Sequence, residues 1–249
     1  IHSFFRYAQY EEPAGLENFQ KVISIPVKKA PTPTIPFLTT DAMEMLLSQP
    51  DKSTPKGRRD LTLLAVLYDS GCRVQELIDL RVCDVILANP SVLILTGKGG
   101  KTRRVPLMKN TVSLLENYIL EMHLDKAWKK DFPLFTNKKH SKLTRAGVTY
   151  IISKYVTSAR LISHIVPEKV TPHVFRHSKS MHLLQAGVNL IYIRDFLGHE
   201  DIQTTEIYAK CDTELKRKAM ENAYPELVNS SLPDWSQDAN LLDWLSSLK

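Results

Sequence analysis

The sequence predicts a mainly α fold with one small antiparallel β-sheet, an α+β arrangement. Three observations carry that expectation. Apolar residues recur at helical spacing through most of the stretch from about residue 37 to residue 224. Helix punctuation brackets them, with Thr39-Thr40-Asp41 and Thr171-Pro172 as starts and Gly71 as a stop. One segment, 91–108 (SVLILTGKGGKTRRVPLM), has the pattern of a β-hairpin: an apolar run, a glycine-rich turn, then a basic strand.

In chain order, 1–12 (IHSFFRYAQYEE) reads as the last part of a helix, with Phe4, Phe5 and Ala8 as an apolar stripe. It starts without a cap, as a chain cut inside a longer protein would. Residues 26–36 (PVKKAPTPTIP) hold four prolines and two lysines and read as an extended linker. A new unit opens at Thr39 ahead of AMEMLLSQ. Residues 51–60 (DKSTPKGRRD) read as a loop before the apolar helix LTLLAVLYDS, and a second helix runs from Arg73 to Leu80. After the hairpin, 109–122 and 144–160 are helical by periodicity, with a strand-like FPLFTN at 132–137 between them. Thr171 and Pro172 open a helix to about Ala186. Shorter helices follow around 189–197, 202–210 and 212–223. No internal repeat is visible.

Composition bounds the function. A chain of 249 residues buries a full core, and 43% hydrophobic with 24% charged residues is ordinary for a soluble globular protein. A formal charge of +6 and a pI near 9.1 fit a nucleic-acid partner, since phosphates are the commonest dense anion a basic surface meets. Cys72, Cys83 and Cys211 form no close pair, which fits a reducing compartment. No apolar run approaches the roughly 20 residues of a membrane span, and no signal-peptide pattern opens the chain. The expectation is a cytoplasmic protein.

Four clusters carry chemistry. His173, Arg176, His177 and Ser180 share one helical face. The H-x3-H spacing of the two histidines admits a zinc reading, but no cysteine or carboxylate accompanies them. Arg73 and Glu76 lie three apart on a helix, so the carboxylate can fix the guanidinium. The turn Gly97-Lys98-Gly99-Gly100-Lys101-Thr102 lacks the first glycine of a nucleotide-binding loop and leads into a strand, so it presents Lys98 to a phosphate instead. Finally Leu197-Gly198-His199 is followed nine residues later by Tyr208. Tyr192 and Tyr224 read as half-buried core residues.

Together these residues resemble the tyrosine recombinase (phage integrase) family. Its pattern is G-x-R-x-x-E-L, a hairpin lysine, H-x-x-R-H, L-G-H and a tyrosine; all five occur in order across residues 71–208. The resemblance implies that family's catalytic fold over 37–224, a remnant of a helical core-binding domain at 1–25, a linker at 26–36, and a C-terminal tail with a docking helix at 225–249. It assigns Arg73 and Arg176 to the scissile phosphate, Lys98 as general acid, His173 and His199 as phosphate or proton-transfer groups, and Tyr208 as nucleophile. Glu76 and His177 support the site. No cofactor or metal is implied.

The residue chemistry agrees with that assignment. Guanidinium groups stay charged and offer paired donors to phosphate oxygens. A phenol of pKa about 10 needs a partner for its proton, and a phosphotyrosine keeps the bond energy for resealing without ATP. Basic residues outside the site are candidates for tracking the DNA backbone: Lys56, Arg58, Arg59, Lys101, Arg103, Arg104, Lys138, Lys139, Lys142 and Arg145. The expected partners are double-stranded DNA with specific recombination sites and further copies of the chain, as dimer or tetramer. Leu241, Trp244, Leu245 and Leu248 give the tail an apolar face for that assembly. An integrase or transposase of a bacterial or phage mobile element, associated with the nucleoid, is the preferred reading. A type IB topoisomerase and a catalytically silent DNA-binding regulator are the alternatives.

Overall fold

The computed structural model describes residues 1–26, 35–199 and 203–211; most of the expected linker, the helix at 212–223 and the tail with its docking helix lie outside them. The chain divides into two compact units, Ile1–Thr34 and Ile35–Lys249. In the first, helices α1 (His2–Glu11) and α2 (Leu16–Ser24) are joined by a 3-10 turn at Pro13–Gly15, and the rings of Phe5 and Phe19 meet at 5.6 Å.

The second unit opens with α3 (Thr40–Leu47), whose cap Thr39 accepts a hydrogen bond from the Ala42 N–H at 3.2 Å. Helix α4 (Pro55–Ser70) begins six residues before the expected Leu61, so residues 55–60, more than half of the expected 51–60 loop, are helix. The reason is local: Thr54 caps the Gly57 N–H at 3.0 Å and Pro55 sits at the first helical position. This is the same threonine–proline start that marks residue 171. Gly71 ends α4 in the left-handed region at φ 55°. Helix α5 (Val74–Asp79) follows with Arg73 at its N-cap.

The sheet has three strands, β1 (Val85–Ile86), β2 (Val92–Thr96) and β3 (Thr102–Pro106), in antiparallel order β1-β2-β3. Leu93 pairs with Val105 and Leu95 with Arg103, and Leu93, Leu95 and Val105 are fully buried. Helix α6 (Lys109–Glu121) and helix α7 (Arg145–Ile162) follow. Between them 132–137 forms only the isolated bridges Arg81↔Pro133 and Thr136↔Lys142. Pro133 has no N–H for a ladder. The expected strand is instead a loop that buries Leu134 and Phe135, with the Leu134 N–H donating to the Leu80 carbonyl and the Tyr118 hydroxyl to the Leu134 carbonyl.

Helices α8 (Pro172–Gln185), α9 (Leu190–Leu197) and α10 (Gln203–Cys211) complete the described chain. The main core spans α3 to α8, and a second cluster joins Met181, Ile193, Leu197 and Tyr208, with Ile35 and Phe37 packed against it. The segment leading into α3 is clamped on α8: the Leu38 N–H donates to Ser178 Oγ at 2.8 Å, and His182 Nε2 meets the Leu38 carbonyl at 2.9 Å. Among the described residues no helix is long and apolar enough to cross a membrane.

Candidate active site

The site is built where the α4–α5 corner, strand β3, α8 and the turn after α9 meet. Glu76, 5% exposed, is its electrostatic centre. Its Oε2 accepts the Arg73 backbone N–H at 2.8 Å, and its Oε1 accepts Arg73 Nη1 at 2.9 Å. From the other side Arg103 donates both η nitrogens, Nη1 to Oε1 at 2.9 Å and Nη2 to Oε2 at 2.8 Å. Burial alone would raise the Glu76 carboxyl. The hydrogen bonds of Arg103 and of the Arg73 backbone, with the charges behind them, override it and hold the group at about 2.

Three consecutive carbonyls at the C-terminal end of α9 rest on arginines. Arg103 Nε donates to Phe196 O at 3.0 Å, Arg176 Nη2 to Leu197 O at 2.7 Å and Arg73 Nη2 to Gly198 O at 3.3 Å. Arg176 Nη1 also donates to Gly71 O at 2.8 Å, which ties the end of α4 to that end of α9. Burial, then the neighbouring Arg73 and Arg103 charges, lower the Arg176 guanidinium to about 10, so it is cationic at pH 7. Of the three side chains Arg73 is the open one, 41% exposed against 12% for Arg103.

Gly198 is required by this crowding. Its φ is +66°, and a Cβ there would lie 3.0 Å from Arg103 Cδ and 3.1 Å from Arg103 Nη1. Gly198→Ala is expected to destabilise the protein by about 1–3 kcal/mol in urea unfolding. A variant as stable as the parent would contradict the packing described.

His199 donates its backbone N–H to Arg194 O at 3.1 Å, and its Nδ1 lies 2.9 Å from Thr205 Oγ1. Burial, followed by the Arg176, Arg73 and Arg103 charges, pushes the imidazole down to about 4, so it is neutral at pH 7. His177 Nδ1 and the Tyr208 hydroxyl share a hydrogen bond of 2.9 Å, and burial, His173 and Arg176 lower the His177 imidazole. Tyr208 is 1% exposed. Burial raises its phenol, against Ser180 and Arg176, which lower it. The exposed His173 has its ring centroid 6.4 Å from that of His177.

The structure therefore brings Arg73, Glu76, Arg176, His177, His199 and Tyr208 into one neighbourhood, with His173 at its rim. Lys98 lies on the β2–β3 turn, and its side chain is outside the described part of the structure. Arg103 departs from its expected place on a DNA-facing surface. Its strand alternates, with Thr102, Arg104 and Pro106 outward and Arg103 and Val105 inward, so it faces Glu76. That signal was present in the period of the strand. Lys56, Lys101, Arg104, Lys138, Lys139, Lys142 and Arg145 are exposed. Lys142 pairs with Asp79 and Arg145 Nε donates to Gln75 Oε1 at 2.8 Å, which places both beside α5. Arg58 pairs with Glu121, and Arg59 with the buried Asp60. Tyr192 is 71% exposed, not half-buried, because it sits on the outer face of α9; Tyr224 is outside the described residues. Thr205, fully buried beside the site, has no sequence signal of its own; Ser180, fully buried as well, lies on the helical face that the sequence offers with His173, Arg176 and His177. Among the described residues no group of three histidine, cysteine or carboxylate side chains is placed to hold a metal ion.

The phage integrase family profile matches residues 36–214. A putative integrase/recombinase, y4rC, of Sinorhizobium fredii is 36% identical over 249 residues, all of this chain and 73% of the relative. Tyrosine recombinase XerD of Listeria innocua is 35% identical over 211 residues, 84% of this chain and 68% of the relative. Among solved structures, XerH site-specific recombinase bound to a palindromic difH substrate, in a post-cleavage complex, superposes with a TM-score of 0.67 at 26% identity. The match covers 80% of this chain and 57% of that one.

Proposed function

The chain belongs to the phage integrase family, and from that premise we propose that it breaks and rejoins DNA through Tyr208. The activity is that of a site-specific DNA recombinase, working on double-stranded DNA. Arg73 and Arg176 neutralise the non-bridging oxygens of the scissile phosphate, and His199 and His173 contribute hydrogen bonds or proton transfer at the same group. Tyr208 gives its phenolic proton to a neighbouring imidazole as it attacks phosphorus to form a 3′-phosphotyrosine, and the leaving 5′-oxygen takes a proton from Lys98. Attack by a 5′-hydroxyl on that linkage then reseals the strand, without ATP.

The observation that carries this reading is the shared setting of the nucleophile and its phosphate ligands. Tyr208 is hydrogen-bonded to His177, which is adjacent in sequence to Arg176, and Arg176 is bonded to the turn that presents His199. In this conformation the phenol is 1% exposed, so cutting requires it to leave its apolar cluster and meet the phosphate beside Arg73. The test is to incubate the protein with a library of nicked, random-sequence duplexes that lose the strand end after cleavage. The expected product is a denaturation-resistant protein–DNA adduct on the tryptic peptide holding Tyr208, and sequencing the trapped ends gives the recognised site. An adduct on another residue would overturn the assignment.

Lys98 has its own test. An alcohol leaving group needs a proton where a thiol, with pKa about 8.5 for a cysteine-like sulfur, does not. Lys98→Ala is expected to slow cleavage of ordinary DNA by about 10²–10⁴-fold and to cut a 5′-bridging phosphorothiolate at close to the parent rate. Equal losses on both substrates would remove Lys98 as the acid.

The tail carries assembly in this reading. The 225–249 segment, with its apolar face of Leu241, Trp244, Leu245 and Leu248, docks on a neighbouring protomer in a dimer or tetramer on DNA. Deleting 226–249 is expected to leave single-site binding intact and to remove higher-order complexes in gel-shift and light-scattering measurements. Unchanged assembly would place the tail on its own protomer.

A further inference from the structure

We propose that Arg103 is a positioning residue for strand cleavage: it neutralises Glu76, so that Arg73 keeps its positive charge for the substrate phosphate, and it fixes the turn that carries His199. The inference rests on the recombinase reading of the site and deepens it.

The argument begins with charge. Glu76 is the carboxylate within hydrogen-bonding reach of Arg73, and it is buried. A single arginine facing a single buried carboxylate forms a neutral pair, closed on itself and poorly disposed to bind another anion. Here the carboxylate faces two. Arg103 covers both oxygens with its fork, at 2.9 and 2.8 Å, and is the more buried of the pair. Arg73 contributes its backbone N–H and one η nitrogen to the carboxylate and extends the other η nitrogen to Gly198 O, with 41% of its side chain open. Arg103 therefore spends its charge on Glu76, and the net positive charge of the triad resides on the exposed partner.

Position is the second part. Arg103 Nε holds Phe196 O, and Gly198 packs so closely on the Arg103 side chain that even a Cβ would fall at 3.0 Å. The same guanidinium therefore sets both the orientation of Arg73, through Glu76, and the height of the 196–198 turn under His199. A lysine could supply the charge but not the fork or the third bond. Because Arg103 faces inward from β3, beside the buried Val105, it is not disposed to touch DNA.

The experiment compares the parent, Arg103→Lys, Arg103→Met, Glu76→Gln and the Glu76→Gln/Arg103→Met double variant, each confirmed by a cooperative thermal melt. Two quantities are read: DNA affinity over a salt series, and the rate of adduct formation at saturating DNA. Arg103→Met is expected to leave affinity within about threefold and the salt slope unchanged, while the cleavage rate falls about 100-fold. Arg103→Lys recovers part of that loss. The double variant cleaves faster than Arg103→Met, because removing the carboxylate removes the charge that captured Arg73. A salt slope shallower by about 0.9, the value of one lost phosphate contact, would overturn the proposal, as would losses that simply multiply in the double variant. If Arg103→Met does not melt cooperatively, Arg103→Lys and the double variant are judged by the same two readings. If the parent itself forms no Tyr208 adduct, the recombinase reading fails, and the salt slope still decides whether Arg103 faces phosphate or Glu76.

Discussion

Replacing Tyr208 with phenylalanine is expected to abolish covalent attachment to DNA, a loss on the order of 10⁴–10⁶-fold, while DNA affinity stays within about threefold. The ring itself belongs to the apolar cluster of Met181, Ile193 and Leu197, and phenylalanine fills the same space. What disappears is one oxygen and its 2.9 Å hydrogen bond to His177. The stability cost is that of one partly buried hydrogen bond, about 1 kcal/mol, too little to unfold the protein. The variant therefore separates chemistry from architecture. Gel separation after denaturation on a nicked duplex reads the adduct, and a filter-binding series reads the affinity. A residual adduct would mean that another side chain attacks. An unfolded protein would mean that the hydroxyl is structural first.

The buried phenol also explains which parts of the site were legible in the sequence. Arg73, Glu76, Arg176, His177, His199 and Tyr208 are legible from spacing and family pattern, because each lies on a helix, a helix cap or a turn whose chemistry is local. The Arg73–Glu76 pair is legible as well, from its spacing of three on a helix, but the other partners are not. Arg176 bonds to Gly71 O and His199 to Thr205, across 105 and six residues, and neither carbonyl nor hydroxyl announces itself in a sequence. Arg103 sits in a basic run, and only the strand alternation distinguishes it by placing it on the side of Val105. The fold divides the same way. The Thr171-Pro172 start and the Gly71 stop are plain in the sequence, whereas the same Thr-Pro pair at 54–55 lies inside a charged, loop-like stretch. The strand-like FPLFTN is not a strand, because Leu134 and Phe135 are buried without a ladder, Phe135 against Tyr118 of α6, while Phe132 stays exposed. Periodicity reports burial, and burial has more than one cause.

Glu76→Gln is expected to destabilise the protein by about 3–5 kcal/mol at pH 7, the cost of breaking a buried ion pair from one side. The amide preserves shape but leaves Arg103, Arg73 and Arg176 as neighbouring cations without the carboxylate that Arg73 and Arg103 share. The pH dependence identifies the cause. Glu76 is held at about 2 in the folded protein, against 4.5 for an ordinary glutamate. A carboxyl depressed by folding contributes stability that is complete above the unfolded value and is lost as pH falls toward the folded one. The difference between parent and variant in urea unfolding should therefore be constant above pH 5 and shrink by about 2 kcal/mol between pH 5 and pH 3. His177 and His199 are lowered by folding as well, but they are present in both proteins and cancel in the comparison. A stability gap that stayed level down to pH 3 would mean that Glu76 titrates normally. The arginines would then be held by the carbonyls of Gly71, Phe196, Leu197 and Gly198 alone, and the carboxylate would have no part in aiming Arg73 at the phosphate.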